Sequence, residues 1–326
     1  MRRREFIAGV GGIAALRALP ASAQQEPVLI GVLHSGSAED QASLVAATRD
    51  GLKEVGFTEG QNLKIEYRWA EGHYDRLPQL AAELVAARAA LIIAAGGTDP
   101  ARAAKAATST IPIVFVSAAD PVRTGLVQSL NRPEGNVTGI NMLGALLEAK
   151  RLELLHELVP KASAMGVLIN PKYPAAQTQV KEVQEATARL RLSLVLRHAS
   201  TESELETAFA GFTDQKAGAV LACNDPFFGS WRARLASLAL EHRLPAMSFR
   251  REFADVGGLI SYGAVFEEGY RQAGVYAGRI LKGARTTDLP VMQPTKFEMV
   301  VNLKTAKALG LAVPEAFLLR ADQVIE

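Results

Sequence analysis

Short apolar runs alternate with longer amphipathic segments along most of this chain. Continuous apolar runs, many of them β-branched, are typical of strands buried on both faces of a sheet. They cover residues 28–33, 91–95, 113–116, 165–169 and 219–222. Apolar residues at three- and four-residue spacing predict helices over residues 77–85, 176–190 and 266–281. This alternation of strand and helix predicts an α/β fold with parallel sheets covered by helices.

Residues 63–69 depart from that pattern, because Leu, Ile, Tyr and Trp alternate there with Lys, Glu and Arg. A period of two with one charged face predicts a strand near the edge of a sheet.

The alternation pauses in a passage rich in Asn, Gly and Pro at residues 130–141, and again at residues 257–263 and after Pro290. Such passages mark connections between structural units. We therefore predict two α/β lobes joined by two or three crossing strands. The predicted first lobe comprises residues 26–139 plus 261–293, and the second comprises residues 140–260 plus 297–326.

Four buried strands are each followed by an Asx-Pro step. The steps are Asp99-Pro100, Asp120-Pro121, Asn170-Pro171 and Asp225-Pro226. Asp or Asn caps a helix by accepting backbone N–H bonds, and Pro fits the first helical turn. The carboxyl ends of parallel strands also line the ligand crevice of open α/β sheets. Two such ends from each lobe predict a binding cleft between the lobes.

The residues around these strand ends suit a small polar ligand with an apolar body. The first lobe would contribute Ser35, Gly36, Ser37, Gly97, Thr98 and Ser117, and the second Asn170, Tyr173, Asp225 and Phe227, with Tyr262 at the later crossing. The rings would sandwich an aromatic or aliphatic body. Asp225 or Asp120 would receive a ligand ammonium, and helix ends or Arg250 and Arg251 a carboxylate.

The first 23 of the 326 residues have the pattern of an export signal. Three arginines at residues 2–4 precede a short apolar stretch at residues 8–16, and Ala21-Ser22-Ala23 fits a cleavage site. The order Arg-Arg-Glu-Phe-Ile favours the twin-arginine route over an ordinary Sec signal. We therefore expect a soluble protein exported to the periplasm.

Removing that signal changes the charge of the chain. The formal charge is +2, and the signal holds four arginines and one glutamate, so the remaining 303 residues carry −1. They contain no long Lys/Arg cluster, so we expect no nucleic-acid partner. Cys223 is the single cysteine. It allows no intramolecular disulfide, and its distance from the signal excludes an amino-terminal lipid anchor.

Catalytic signatures are absent from the sequence. It contains no G-x-S-x-G, H-E-x-x-H or phosphate-loop motif, so we expect no catalysis, metal or cofactor. A secreted hydrolase using His34 or Ser35 remains an alternative, because convergent sites need no motif.

A further set of segments runs in order along nearly the whole mature chain, at residues 51–72, 76–85, 111–115, 120–122, 136–139, 257–263 and 294–310. Together they resemble ABC-transporter substrate-binding proteins of the tryptophan/tyrosine-permease type. The resemblance implies a type I periplasmic binding fold with two Rossmann-like lobes. It also implies which residues would form the site. They are the loops at residues 35–37, 97–98 and 117–120, together with Asn141, Asn170, Asp225 and Tyr262.

The resemblance further implies a periplasmic receptor that delivers a small organic solute to an ABC permease in the inner membrane. An amino acid or aromatic carboxylate is the expected solute, and a monomer is the expected form. A receptor that presents its ligand to a membrane signalling protein is the alternative, because the same fold and pocket would serve it.

Overall fold

The protein is described by a computed structural model that covers residues 26–173 and 175–326, with the backbone alone for residues 145 and 146. The predicted export signal at residues 1–23 lies outside the described residues. Within them, no helix combines the length and apolar character needed to cross a bilayer.

The described residues form twelve strands in two sheets. In chain order they are β1 Val28–His34, β2 Leu63–Trp69, β3 Ile92–Ala95, β4 Ile113–Ser117, β5 Val137–Asn141, β6 Ala164–Ile169, β7 Ser193–His198, β8 Ala219–Ala222, β9 Ala246–Ser248, β10 Ile260–Ala264, β11 Phe297–Asn302 and β12 Gln323–Ile325. The first sheet has the order β2-β1-β3-β4-β5, and the second β12-β11-β10-β9-β8-β6-β7. We call the unit around each sheet the first lobe and the second lobe.

Twelve α-helices occur in the same described residues. They are α1 Ala42–Glu54, α2 Leu77–Ala86, α3 Thr98–Ala107, α4 Glu148–Leu158, α5 Ala176–Leu190, α6 Glu202–Asp214, α7 Pro226–Ser230, α8 Arg232–Glu241, α9 Arg251–Asp255, α10 Phe266–Leu281, α11 Leu303–Ala308 and α12 Glu315–Leu318. The elements predicted from hydrophobic spacing are confirmed, and β2 lies at a sheet edge as its alternation indicates.

Helices cover both faces of the first sheet. On one face, Ile30, Val32 and Ile93 pack with residues of α1 and α10. On the other face, Leu33 and Phe115 pack with residues of α2 and α3. Burial on both faces accounts for the continuous apolar runs in β1, β3 and β4, because neither set of alternating side chains reaches solvent.

Helix α10 follows a strand of the second sheet but packs on the first lobe. It lies against α1, where a methyl group on Gly51 would collide with the Arg271 carbonyl oxygen and one on Gly274 with that of Thr48. Glycine at both positions lets the two backbones approach closely. This packing interleaves the chain between the lobes.

The chain passes between the lobes in three places. The passages are residues 142–147 between β5 and α4, Val265 between β10 and α10, and residues 282–296 between α10 and β11. Residues 260–264 belong to the second sheet, so the return to the first lobe follows Ala264 and does not begin at residue 261. Strand β10 pairs in parallel with β9 and antiparallel with β11, and such distant pairing leaves no mark in the local apolar pattern.

Candidate functional site

A small cavity of about 40 Å³ lies between the lobes, at the carboxyl ends of β1, β3, β4, β8 and β9. We call it the inner cavity. Its apolar lining includes Leu44, Val116, Met142, Phe249, Phe266 and the ring of Tyr270, and its polar lining includes His34, Gln41, Ser117, Tyr173, Asn224 and Arg250. The mixture of many apolar and few polar groups is typical of small-molecule sites.

His34 and Ser117, two of the polar residues that the first lobe brings to the inner cavity, have hydrogen-bond partners within that lobe. The Gly36 N–H donates to His34 Nδ1 at 2.8 Å, so His34 Nε2 carries the ring proton and donates to the Tyr270 hydroxyl at 3.1 Å. Burial, helped by the positive charge of Arg250, lowers the pKa of His34 to about 3. The histidine is therefore neutral at physiological pH.

The hydroxyl pair of the first lobe is also satisfied. Thr98 Oγ1 and Ser117 Oγ lie 2.8 Å apart, and both residues are buried. Ser35 Oγ donates to the Gly96 carbonyl oxygen. Both ring nitrogens of His34 also have other partners, so Ser35 and His34 are not hydrogen-bonded to each other as a nucleophile and its base would be.

Arg250 is the single charged side chain among the described residues that line the inner cavity. It follows β9, is 8% exposed, and lies with its Cζ 5.2 Å from the centre of the Phe266 ring in the other lobe. Its Nε and Nη2 donate to the Glu252 carboxylate. Its Nη1 lies near Gly229, which also lines the cavity.

Two other second-lobe residues of the cavity lining, Tyr173 and Asn224, each have a buried polar atom without a hydrogen-bond partner. The Tyr173 hydroxyl and Asn224 Nδ2 are covered by protein, and neither makes a hydrogen bond to any group in the described part of the chain. Both residues are only 3% exposed. Buried polar groups are nearly always hydrogen-bonded, so atoms of this kind in a cavity are candidate ligand contacts.

Asp225 lies beside the cavity, between two lining residues, Asn224 and Pro226. Its Oδ1 accepts from the Phe227 N–H at 2.7 Å, which caps α7, and from Asn170 Nδ2 at 3.2 Å. Burial raises the pKa of Asp225 to about 7. Its negative charge and burial together raise the pKa of Tyr74 in the first lobe.

A second cavity, of about 280 Å³, adjoins the first and shares Pro226 with it. Ser35, Gly36, Ser37 and Tyr74 of the first lobe face Phe227, Ser230 and Trp231 of the second across it. Asp40 closes part of this space, because Arg232 Nη1 of the second lobe lies 3.5 Å from its Oδ1. We call this space the outer cavity.

Ten of the thirteen predicted site residues line or adjoin the two cavities. Gly97, Ser117 and Tyr173 line the inner cavity, and Ser35, Gly36, Ser37 and Phe227 line the outer cavity. Thr98, Asn170 and Asp225 adjoin the cavities through their hydrogen bonds, as described above. Asn141 lies at the end of β5, where its Oδ1 accepts from the Leu143 N–H at 3.1 Å.

Asp120 and Tyr262 line neither cavity, in contrast to the sequence prediction. Asp120 Oδ1 accepts from the N–H groups of Val122 and Arg123 at the protein surface. The Tyr262 ring packs in the second-lobe core and stacks with Phe297. Arg251 also points away from the inner cavity and pairs with Glu298.

The Asx-Pro steps mostly behave as caps. Asp120, Asn170 and Asp225 each accept a backbone N–H two residues later. Asp99 does not, because α3 begins at Thr98 and Asp99 lies inside the first turn. Gly97 takes the cap position with a φ of 121°, a conformation that favours glycine.

Several residues that line the inner cavity are not predicted by the sequence pattern. Phe249 follows β9, a strand of three residues that is too short to give a periodic signal, and Phe266 and Tyr270 lie on the first turns of α10. Asn224 stands next to the predicted Asp225. A short apolar run followed by Arg, as in residues 246–250, was the available signal.

Metal and thiol chemistry find no support in this region. In residues 26–173 and 175–326, no three His, Cys, Asp or Glu side chains are grouped to hold a metal ion. Cys223 is buried, and burial raises the pKa of its thiol.

Comparison with known proteins identifies the family to which this chain belongs. Residues 29–325 match the family model "ABC transporter substrate binding protein". The tyrosine-binding protein of Clostridioides difficile (strain R20291) is 30% identical over 260 residues, which is 80% of this chain and 74% of that protein.

Two solved structures are also similar. A conserved domain protein from Vibrio cholerae O1 biovar El Tor strain N16961 has a TM-score of 0.85 at 27% identity, covering 92% of this chain and 100% of that chain. The ABC domain from Streptococcus pneumonia in complex with L-Trp has a TM-score of 0.83, also at 27% identity and with the same coverage. The fold is that of type I periplasmic binding proteins, and the chain belongs to the ABC transporter substrate-binding protein family.

Proposed function

We propose that this protein captures an aromatic amino acid, or a closely related carboxylate, in the inner cavity and delivers it to an ABC permease. The observation that carries the proposal is the position of Arg250, a single cation in a cavity walled by Phe249, Phe266 and Tyr270. An aromatic body with one carboxylate complements that combination. The relatives that bind tyrosine and L-Trp support the same class of solute.

Capture would proceed by closure of the lobes. The inner cavity takes walls from both lobes, so a solute gains its full set of contacts only when the lobes are together. Differential affinity for the closed form shifts the population toward it. The closed form would then dock on the permease, and the arginine-rich segment at residues 1–23 supports export to the periplasm.

We assign binding rather than catalysis to the site. His34 is neutral, both of its ring nitrogens are engaged, and the Ser35 hydroxyl donates elsewhere. The interior is thus equipped to hold a solute and lacks the nucleophile and base geometry of the alternative hydrolase.

The test is a comparison of solutes by thermal shift and calorimetry. L-tyrosine, L-tryptophan and L-phenylalanine are measured beside tyramine, which keeps the ring and ammonium of tyrosine but lacks the carboxylate. A solute at 100 times its Kd should stabilise the folded state by about 2.7 kcal/mol. We expect at least one amino acid to bind and tyramine to bind about 100-fold more weakly than tyrosine, because it offers Arg250 no anion.

Two outcomes would overturn the proposal. Equal affinity for tyrosine and tyramine would mean that Arg250 does not bind the carboxylate of the solute. An unchanged melting temperature with every amino acid of the panel would mean that the class of solute is wrong.

A further inference from the structure

A fully buried ion pair lies behind the second-lobe wall of the inner cavity. Glu148 and Arg151 on the first turn of α4 are both 0% exposed, and Arg151 Nη1 lies 3.0 Å from Glu148 Oε2. Burying two charges costs so much that well-packed apolar residues of similar volume often give equal or greater stability. The pair therefore calls for a role other than stability.

The contacts of this pair converge on the backbone of Asn224. Glu148 Oε1 accepts from the Asn224 N–H at 2.7 Å and from Gln179 Nε2 at 3.1 Å. Gln179 Nε2 also donates to the Asn224 carbonyl oxygen at 2.7 Å. Both backbone polar groups of Asn224 are thus held by buried side chains from α4 and α5. We call Glu148, Arg151 and Gln179 the bracket.

The bracket is also tied to two passages between the lobes. Arg151 donates from Nη1 to the Gly144 carbonyl oxygen at 3.1 Å and from Nε to that of Tyr262 at 2.7 Å. Gly144 lies directly against the Asn224 amide, and a methyl group there would collide with Nδ2. The position of the Asn224 side chain is therefore fixed from its backbone and from the crossing segment.

The residue that the bracket holds, Asn224, has a hydrogen-bond donor without an acceptor. Asn224 lines the inner cavity, and its Nδ2 is fully covered and has no hydrogen-bond partner within the described ranges of the chain. An N–H donor left in that state is unfavourable until an acceptor arrives.

We propose that Asn224 Nδ2 donates to an oxygen acceptor of the bound solute, and that the bracket is the set of positioning residues that aims it. This inference rests on the proposed function and deepens it, because it assigns a second donor beside Arg250 to the polar end of the solute. The oxygen is that of a carboxylate or carbonyl group, which a donor-only amide nitrogen selects over an ammonium.

The test combines substitutions at the contact and behind it. Asn224→Leu removes the donor, and the double variant Glu148→Leu/Arg151→Met replaces the ion pair by apolar side chains of similar volume. The matched control makes the same two changes in the exposed pair Glu157 and Arg320 of the same lobe, as Glu157→Leu/Arg320→Met. Calorimetry measures the Kd for L-tyrosine and L-tryptophan, and hydrogen exchange without solute measures protection of the Asn224 N–H.

We expect Asn224→Leu and the double variant each to raise the Kd about ten-fold, because each costs the same hydrogen bond to the solute. Combined in one chain, they should raise it no further, since the bracket acts through Asn224 and residues of one network are not additive. The Asn224 N–H should exchange at least about ten-fold faster in the double variant, and the control should match the wild type in both measurements.

Each other result decides against part of the inference. Full affinity in Asn224→Leu removes it as a contact, and additive losses or unchanged Asn224 exchange remove the bracket as its positioning device. If the double variant does not fold, Gln179→Leu takes its place with the same expected results. If the wild type binds no amino acid, the proposed solute class fails, while the exchange rate of the Asn224 N–H still decides whether the bracket holds that backbone.

Discussion

The two lobes each end a central strand in the same dipeptide, Asp-Pro, and use it differently. Asp120 after β4 and Asp225 after β8 both accept a backbone N–H two residues later, at 2.9 and 2.7 Å. Asp120 stays half-buried at the surface, whereas Asp225 is 0% exposed and its Oδ2 has no hydrogen-bond partner among the described groups. One local motif thus gives a simple cap in the first lobe and a buried acid beside the cleft in the second.

The same contrast extends to the inner cavity. Two first-lobe polar residues there, His34 and Ser117, are hydrogen-bonded within their own lobe, to Tyr270 and Thr98. On the second-lobe side, polar atoms of Tyr173 and Asn224 are buried without partners in the described structure. Among the described residues that line this cavity, the fully buried polar atoms without partners therefore belong to the second lobe.

The largest expected effect concerns Asp225 and pH. Its pKa is raised by burial from 3.8 to about 7, so its contribution to stability is full below pH 4 and is lost as the pH rises through 7. Asp225→Asn keeps a capping side chain without the charge. At pH 8 the variant should be more stable than the wild type by up to about 4 kcal/mol, and at pH 4 the two should converge.

Chemical denaturation between pH 4 and pH 8 measures this difference. Asp120→Asn is the matched control, since it changes the same cap where the carboxylate reaches solvent, and it should alter the pH profile by less than about 1 kcal/mol. A wild type and an Asp225→Asn variant with parallel profiles would show that the buried acid carries no such cost.

Arg250 gives the next largest effect, on solute affinity. Arg250→Met should raise the Kd for the best amino-acid solute about 100-fold, because a buried charge-assisted hydrogen bond to the carboxylate is lost. The adjacent Arg251 pairs with Glu298 and Asp255 on the surface, so Arg251→Met should change the Kd less than about three-fold. Calorimetry on both variants decides the matter, and similar losses in the two would refute the assignment of Arg250.

Two tyrosines test the contrast between the lobes at the same cavity. Tyr173 of the second lobe has an unpartnered hydroxyl, so Tyr173→Phe should raise the solute Kd five- to ten-fold with little change in melting temperature. The hydroxyl of Tyr270 is bonded to His34, so Tyr270→Phe should lower the free energy of unfolding by about 1 kcal/mol and change the Kd less than about three-fold. The reverse order of Kd effects would mean that the first lobe carries the polar recognition.

The strand and helix pattern was largely predictable because burial sets it locally. The spacing of apolar residues gave α5 and α10 with the bounds that the structure has, and alternation placed β2 at a sheet edge. The family resemblance is also confirmed. The sequence pattern does not predict strand β9, because its three residues hold less than two periods of alternation. For the same reason it does not predict Phe249, which follows β9, as a lining residue.

The site was predictable in location but less so in membership. Strand ends predict where a crevice opens, yet which side chain faces it depends on the opposite lobe and on pairing between distant strands. Asp225 and Asp120 have the same local sequence signal, and Asn224 and Arg250 gain their setting from α4, α5 and α10. Such contacts join residues far apart in the chain, where periodicity carries no information.

Tyr262 gives the smallest expected effect and the sharpest check on that limit. Its place at the later crossing between the lobes and the family resemblance predict a ligand contact, but its ring stacks on Phe297 with the ring centres 6.3 Å apart, against the second-lobe core. Its contact with the bracket is made by its backbone carbonyl, which any side chain preserves. Tyr262→Phe should therefore leave the solute Kd within about two-fold of the wild type and the free energy of unfolding within about 0.5 kcal/mol. A loss of affinity in calorimetry without a loss of stability would show that the Tyr262 hydroxyl contacts the solute. The closed cleft would then extend further along β10 than the inner cavity does.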